Sequence, residues 1–208
     1  MSCRNRIKRH IAGQLTRPHG LIGRWLIGPL WNRRNRALND RTLQALRLRD
    51  QDRVLDIGFG GGYLLAQMAK IVTQGHLAGL EASPIMVDRI QRKFQALVYK
   101  GSMDIRLGSA EELPFTDGAF DKVASVNAIF YWRDPAGGIR EAWRVLRQDG
   151  LFVLTFTAKE DLDRQEFGIA SFTEDQVTRM VRQAGFNRID VSRGRDVHRT
   201  FFILMAAK

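Results

Sequence analysis

The sequence predicts an α/β fold in which a mostly parallel sheet carries helices on both faces. Beyond residue 50, short apolar segments alternate with segments of helical periodicity. The first apolar segment runs directly into a glycine-rich loop, as a buried strand does before a ligand-binding turn. The last two apolar segments have no helix between them, so we expect them to pair as an antiparallel hairpin. Ligands of such sheets bind at the carboxyl ends of the strands.

Length and composition fit one folded domain without a disulfide framework. The chain has 208 residues, enough to bury a substantial core, and its apolar and charged fractions are ordinary. A single cysteine, Cys3, indicates a reducing compartment. No apolar run approaches the ~18 residues of a membrane span, and no signal-peptide pattern is present. We therefore expect a soluble, cytoplasmic protein.

The net charge of +11 is concentrated in the first quarter of the chain. Residues 1–49 contain twelve Lys or Arg and a single acid, Asp40, which accounts for the whole excess. Residues 50–208 contain 21 basic and 21 acidic side chains and are neutral overall. The basic surface is therefore predicted to belong to a separate amino-terminal segment attached to a neutral body, residues 50–208.

The basic segment, residues 1–49, also carries large apolar side chains and is predicted to be helical. Prolines divide it into short helices, and the cleanest helix is expected over residues 33–46, with Leu38, Leu43 and Leu46 on one face. One interpretation is a lid over the ligand site that also contacts an anionic membrane or an acidic substrate. The alternative is that the apolar face packs on the body while the arginines face solvent.

The glycine loop follows the first predicted strand, residues 54–57, and precedes a helix predicted over residues 62–73. Gly58, Gly60 and Gly62 have the spacing G-x-G-x-G. This spacing lacks the third glycine of a dinucleotide fingerprint and the Gly-Lys-Ser/Thr ending of a phosphate loop. Glycines at such a turn let the backbone approach a ligand, and the helix that follows directs free N–H groups toward it.

The second predicted strand, residues 76–81, ends at Glu81 and is followed by a helix over residues 84–98. An ionised carboxylate has two acceptor oxygens and can receive both hydroxyls of a ribose diol. The position of Glu81, at a strand end beside the glycine loop, therefore indicates an adenosine-containing ligand. The alternative is a solvated acid at the end of a strand.

The remaining elements follow the same alternation. Further strands are predicted over residues 104–107, 120–126, 150–156, 188–191 and 200–205, and further helices over residues 135–146 and 174–184. The segment 157–172 is short, so no large substrate domain is expected after the fifth strand.

Four ordered motifs extend over residues 50–208. They are the glycine loop, Leu-Glu-Ala-Ser-Pro-Ile-Met at 80–86, Gly-Ser-Ala-Glu-Glu-Leu-Pro-Phe-Thr-Asp at 108–117, and Glu-Ala-Trp-Arg-Val-Leu-Arg-Gln-Asp-Gly-Leu-Phe-Val at 141–153. Together they resemble the class I S-adenosylmethionine-dependent methyltransferases, in particular the small-molecule branch that includes quinone-biosynthesis C-methyltransferases. The resemblance implies a Rossmann-like, seven-stranded sheet with an antiparallel last strand, and residues 1–49 are then expected to close its site as a helical lid.

The resemblance also implies roles for individual residues in binding S-adenosylmethionine. Asp56 and the backbone of Gly58, Gly60 and Gly62 would hold the methionine end, with the Asn127 backbone at the amino group. Glu81 would hold the ribose, and Ala82 and Met86 would flank the adenine. Ser109 stands where the family usually has an acid for the adenine amino group. Ser109 and the Ala110 amide are therefore the adenine-binding candidates, with a weaker acceptor than a carboxylate.

The acceptor side is predicted to follow the fourth strand. By resemblance, the aromatic residues Phe130, Tyr131 and Trp132 would line it, although Phe130 and Trp132 also suit an ordinary core. No strong base stands out. Tyr131 and His19 are the catalytic candidates, and His19 equally suits a polar turn position between Pro18 and Gly20. No metal site is expected.

The predicted function is methyl transfer from S-adenosylmethionine to a small apolar or anionic molecule, such as a quinone, a lipid or another metabolite. Residues 1–49 would contact an anionic membrane peripherally. A first alternative is RNA methylation guided by the basic segment; the fourth strand lacks the Asn/Asp-Pro-Pro-aromatic signature of many base-amino methyltransferases, which makes nucleic acid the less favoured partner. A second alternative is a non-catalytic regulator that binds the cofactor.

Overall fold

A seven-stranded sheet organises the part of the chain that this computed structural model describes, residues 32–163 and 170–208. The strands are β1 (Arg53–Ile57), β2 (His76–Glu81), β3 (Met103–Leu107), β4 (Phe120–Val126), β5 (Leu146–Thr157), β6 (Arg188–Arg195) and β7 (Thr200–Ala207). Their order across the sheet is β3-β2-β1-β4-β5-β7-β6. Strands β1 to β5 pair in parallel, and β7 is antiparallel to both of its neighbours. The predicted fold class and terminal hairpin are thus confirmed.

Helices connect the strands and cover both faces. They are α1 (Arg36–Leu46), α2 (Tyr63–Met68), α3 (Pro84–Lys93), α4 (Gln95–Tyr99), α5 (Pro135–Val145), α6 (Lys159–Asp163) and α7 (Glu174–Gln183), with a 3-10 turn at Ile129–Tyr131. None of the helices within the described ranges is long and apolar enough to cross a membrane.

Two hydrophobic clusters lie on the two faces of the sheet. Val54 and Leu55 are adjacent in β1 and fully buried, yet they belong to different clusters. Side chains alternate along a strand, so neighbours point to different faces. The cluster with Val54 includes residues of α1, α2 and α3, whereas the cluster with Leu55 includes residues of α5 and α7. The sheet is therefore covered by helices on both sides, as predicted.

Helix α1 packs on the body through its apolar face. Leu38 and Leu46 are fully buried, and each contributes about 2 kcal/mol by leaving water. The Thr42 and Thr155 hydroxyl oxygens lie 2.6 Å apart, which joins α1 to β5. Beyond the end of α1, the Lys122 ammonium donates to the Arg47 carbonyl oxygen at 2.7 Å.

Several element boundaries differ from the sequence prediction. Helix α2 ends at Met68, and beyond it the Lys70 and Ile71 amides bond three residues back, which tightens the chain into a turn. The helix predicted over residues 84–98 is interrupted at Phe94, whose backbone leaves helical geometry (φ −110°, ψ 23°). Strand β5 starts at Leu146, earlier than predicted, because Leu146 pairs with Phe120 across a register shift. Helix α6 was not predicted.

Candidate functional site

A cavity of about 340 Å³ opens at the carboxyl ends of β1, β2 and β4. Its walls come from the loops after these strands and after β3, from residues before and within the first turn of α1, from α6, and from the residue preceding β7. The residues that line it are Asn32, Arg34, Asn35, Asn39, Asp56, Ile57, Gly58, Phe59, Gly60, Gly61, Tyr63, Leu80, Glu81, Ala82, Gly108, Ser109, Ala110, Glu111, Val126, Asn127, Ala128, Phe130, Tyr131, Trp132, Arg133, Leu162 and Arg199. Its volume suits a small-molecule site.

The glycine loop has a backbone conformation that favours glycine and leaves no room for a side chain at Gly58. Gly58 and Gly60 have φ of +76° and +50°, in the left-handed region that favours glycine. A Cβ atom on Gly58 would lie 2.4 Å from the Ala128 Cβ atom, so the strand ends approach too closely for any side chain there. The Gly58 N–H donates to the Leu80 carbonyl oxygen at 2.7 Å, which fixes the loop to β2.

The Glu81 carboxylate is oriented by backbone N–H groups. Its Oε2 accepts from the Gly60 N–H at 2.9 Å, and its Oε1 accepts from the Ser83 N–H at 3.0 Å. Burial raises the pKa of Glu81, and these hydrogen bonds act against the increase. Each carboxylate oxygen can accept more than one hydrogen bond, so Glu81 keeps acceptor capacity for a ligand.

Asp56 lies on the cavity wall with an unsatisfied oxygen. The residue is 2% exposed, and its Oδ2 has no hydrogen-bond partner among the described residues. Burial, with the nearby Glu81 charge, raises the pKa of Asp56 to about 8. A buried carboxylate without a partner is costly, so the position favours a cationic or hydrogen-bond-donating ligand group.

Ser109, Ala110 and Glu111 form another part of the lining, after β3. The Ser109 hydroxyl donates to the Glu111 carboxylate, which also accepts from the Arg133 N–H at 2.6 Å and the Asp134 N–H at 3.1 Å. Burial alone would raise the pKa of Glu111, but these hydrogen bonds lower it overall. The Ser109 hydroxyl is thus engaged by an acid in the same motif, and sequence reasoning did not assign Glu111 to the site.

Two of the predicted cofactor residues lie outside the lining. Met86 is fully buried among the residues packed on β1 and β2. Gly62 precedes α2 with φ +70°, and a Cβ atom there would lie 2.5 Å from the Ile90 Cδ1 atom. Their surroundings indicate packing and turn formation, whereas Ala82 lines the cavity and is exposed.

Asn127 immediately follows β4 and has a left-handed backbone, with φ +55°. Its N–H donates to the Thr155 carbonyl oxygen at 2.8 Å. Its side chain is engaged as well, because Oδ1 accepts from the Thr157 N–H at 2.8 Å and Nδ2 donates to Asn35 Oδ1 at 3.0 Å. A non-glycine residue in this conformation persists where its surroundings fix it.

Aromatic residues contribute apolar surface to the cavity. Phe130 is 5% exposed and stacks on Phe172 with ring centroids 6.3 Å apart. Phe130 and Trp132 line the cavity and also pack with the core, and their predicted place on the acceptor side stays a prediction. Tyr131 is 43% exposed. The protein atoms around its phenol nevertheless remove part of its solvation, which raises the pKa of Tyr131. The other catalytic candidate, His19, lies outside the described residues.

Sequence reasoning missed the polar residues that the amino-terminal segment contributes. The Asn32 side chain donates to the Gly61 carbonyl oxygen at 3.0 Å, and Asn35 and Asn39 also line the cavity. The spacing of these asparagines, three and then four residues, places them on one face of a helix and is the signal that could have identified them. Arg199, immediately before β7, gave no comparable signal.

Metal ligands are not clustered in the described ranges. No group of three or more His, Cys, Asp or Glu side chains within residues 32–163 and 170–208 is arranged to hold a metal ion.

Known proteins match the sequence. Residues 55–154 match the family model described as Methyltransferase domain. The uncharacterized methyltransferase YdaC of Bacillus subtilis is 32% identical over 157 residues, which cover 76% of this chain and 83% of that protein. The 2-methyl-6-phytyl-1,4-hydroquinone methyltransferase 2 of Oryza sativa is 38% identical over 118 residues. That match covers 57% of this chain and 32% of the rice protein, so the chain spans about a third of that relative.

The fold also matches a solved structure from Haloferax volcanii. The structure is a complex between the Trm112 methyltransferase activator and a methyltransferase. One chain of it superposes with a TM-score of 0.75 at 20% identity, covering 86% of this chain and 92% of that chain. At this identity the match establishes the fold alone.

Proposed function

The chain belongs to the S-adenosylmethionine-dependent methyltransferases, and from this membership we propose that its cavity holds the methyl donor beside the glycine loop and admits a small apolar or anionic acceptor. The observation that carries the proposal is the composition of one cavity wall. This wall combines the Gly58 backbone, where there is no room for a Cβ atom, with two carboxyl groups. Asp56 is buried with one unsatisfied oxygen, and Glu81 is oriented by backbone N–H groups.

These features fit the chemical groups of S-adenosylmethionine. The unsatisfied Asp56 oxygen suits the ammonium group of the methionine end, since a positive charge offsets the cost of a buried carboxylate. The oriented Glu81 carboxylate suits the ribose diol. Ala82, Ser109 and Ala110, which line the cavity, would contact the adenine. In this assignment Gly62 and Met86 support the loop and the core from outside the cavity.

The cofactor supplies a methyl group that is already activated by its positively charged sulfur. The protein then has to orient the acceptor and exclude water. Phe130 and Trp132 offer apolar surface for both tasks, and Leu162 extends it. The pKa of Tyr131 is raised above the ordinary value of 10.0, so the side chain is a neutral phenol at pH 7 and acts as a hydrogen-bonding group rather than as a base. His19 remains a prediction.

The acceptor class we propose is an aromatic or otherwise apolar small molecule. Aromatic side chains in the cavity favour a flat or hydrocarbon acceptor. The rice relative is named as a methyltransferase of a phytyl hydroquinone, which belongs to this class. Six of the twelve basic residues of the segment 1–49 lie before residue 32, and we propose that they contact the anionic membrane surface from which such an acceptor is drawn.

The test is a screen with radiolabelled methyl donor against quinone, lipid, small-metabolite and RNA fractions. We expect label in the quinone or lipid fraction. The matched control is Glu81→Gln, which keeps the shape of the side chain but removes its charge, and we expect it to reduce labelling more than tenfold, equivalent to more than about 1.4 kcal/mol. Label that entered only RNA would contradict the proposed acceptor class.

A further inference from the structure

A closed ring of hydrogen bonds joins the amino-terminal segment to three strand ends beside the cavity. Asn35 Oδ1 accepts from Arg199 Nη2 at 2.9 Å and from Asn127 Nδ2 at 3.0 Å. Asn127 Oδ1 accepts from the Thr157 N–H at 2.8 Å and from the Thr157 hydroxyl at 3.1 Å. Arg199 Nη1 closes the ring by donating to Thr157 Oγ1 at 3.4 Å.

Arg199 is the one cation of this ring and is itself held in place. The residue is 6% exposed, and its Nε lies 3.4 Å from Asp196 Oδ2. Its Nη2 also donates to the Arg34 carbonyl oxygen. Asp196 in turn accepts from the backbone N–H groups of His198 and Arg199, at 2.8 and 2.9 Å. The planar guanidinium thus serves four acceptors, whereas a lysine ammonium has only three N–H donors.

Three members of the ring line the cavity. They are Asn35, Asn127 and Arg199, and Asn127 has the left-handed φ of +55°. The ring satisfies the side-chain amide of Asn127 on both sides, so the surroundings fix this conformation. It also fixes the chain just before α1, where Asn32 bonds to the glycine loop.

We infer that Arg199 is a positioning residue for the methyl-transfer reaction: through Asn35 and Asn127 it holds the amino-terminal wall of the cavity and the end of β4 in the geometry that binds the cofactor. The inference rests on the proposed function only in placing S-adenosylmethionine in this cavity. Arg199 performs this task without having to contact the cofactor.

A second clamp on α1 provides the matched control. The Lys122 ammonium donates to the Arg47 carbonyl oxygen at 2.7 Å and to Asp52 Oδ2 at 2.5 Å, after the last turn of α1. Lys122 is a partly buried cation that, like Arg199, ties α1 to the sheet, but it does not line the cavity. Removing it should lower stability without changing the cavity wall.

The experiment measures S-adenosylmethionine affinity by titration calorimetry, so that no acceptor is required. We expect Arg199→Met and Asn35→Ala to weaken binding about tenfold each, and the double variant to be little weaker than either, because both open the same ring. Arg199→Lys should also weaken binding, since the charge is kept but the fork is lost. Lys122→Met should bind the cofactor as the wild-type protein does.

Hydrogen exchange of the ligand-free protein gives a second readout. We expect Arg199→Met to speed exchange at the start of α1, and Lys122→Met to speed it at the end of α1. The inference is overturned if Arg199→Met or Arg199→Lys binds like the wild-type protein, or if Lys122→Met weakens binding equally. Wild-type protein that bound no cofactor would overturn both the cofactor assignment and the role of Arg199, whereas normal wild-type binding with an unaffected Arg199→Met overturns the role alone.

Discussion

At the residue scale, the feature with the widest consequences is the Asp56 carboxyl group. It is buried, one oxygen has no partner among the described residues, and its pKa is raised to about 8. At pH 7 the group is therefore mostly protonated when the cavity is free of ligand. An ammonium group at this position would favour the ionised form, so ligand binding and proton release are coupled.

We predict that S-adenosylmethionine binding at pH 7 releases about one proton from Asp56. Calorimetric titrations in phosphate and in Tris should then give different heats, because the two buffers take up the released proton with different enthalpies. Asp56→Asn cannot ionise and should show equal heats in both buffers. Equal heats for the wild-type protein would contradict the prediction.

The stability of the ligand-free protein checks the same shift independently. Because the folded-state pKa of Asp56, about 8, lies above the ordinary value of 3.8, its contribution is complete below about pH 4 and is lost as the pH rises through 8. Denaturation of the wild-type protein should therefore become easier between pH 5 and pH 9, relative to Asp56→Asn. A parallel pH dependence of the two proteins would show that Asp56 titrates normally.

At the element scale, α1 illustrates what the sequence could and could not predict. Its apolar face follows from the spacing of Leu38 and Leu46, and the predicted helix is present. Its anchoring does not follow, because Thr42 bonds to Thr155, 113 residues away. Local periodicity carries no information on such a partner, whereas strand pairing needs only apolar runs and short connections.

Some residues of the cavity could likewise be predicted from the sequence, and others could not. Glu81 was predictable because a carboxylate at the end of a strand has a recognisable chemistry. Glu111 was missed because the residue two positions earlier, Ser109, matched the expected place in the motif, and their hydrogen bond is visible only in three dimensions. The bond between Asn35 and Asn127 spans 92 residues and was equally hidden.

The buried hydroxyl pair between α1 and β5 gives an element-scale prediction. Thr42 donates to the Leu38 carbonyl oxygen at 2.8 Å, so Thr155 supplies the proton between the two hydroxyls. Thr42→Val should lower the free energy of unfolding by ~1–3 kcal/mol, since it leaves the buried Thr155 donor unsatisfied. Thr155→Val should cost less, as it leaves no donor without an acceptor.

Urea denaturation measures both effects, and the double variant is their control. Replacing both hydroxyls by methyl groups of the same shape should be close to neutral. A double variant as unstable as the sum of the single variants would mean that the two hydroxyls do not interact.

At the scale of the whole molecule, charge is distributed unevenly. The excess of basic residues lies in residues 1–49, while the rest of the chain is neutral. Clustered basic residues attract anionic membrane surfaces by about 1 kcal/mol each, and salt screens this attraction. The proposed acceptor class and this charge distribution therefore both predict that the protein meets its substrate at an anionic membrane surface.

We predict that replacing Arg4, Arg6 and Arg9 by Gln weakens binding to vesicles of anionic phospholipid more than tenfold at low salt. Co-sedimentation measures the bound fraction, and S-adenosylmethionine affinity should be unchanged. The matched control replaces three exposed arginines on β6, the set Arg188, Arg193 and Arg195. Equal losses for the two triple variants would mean that only total charge matters, and unchanged binding for both would remove the membrane proposal.

The position of β7 in the sheet has a consequence for biosynthesis. Strand β6 leaves the ribosome before β7, but its partner in the sheet is β7, which lies between β5 and β6. Until residues 200–207 emerge, β6 has no strand to join and β5 keeps an open edge, which is the kind of surface that favours aggregation. Arg199 and Asn35, near the two ends of the described chain, meet only then. A nascent chain that stalls before residue 199 therefore carries the glycine loop and both carboxylates but lacks the part of the cavity wall that Arg199 forms.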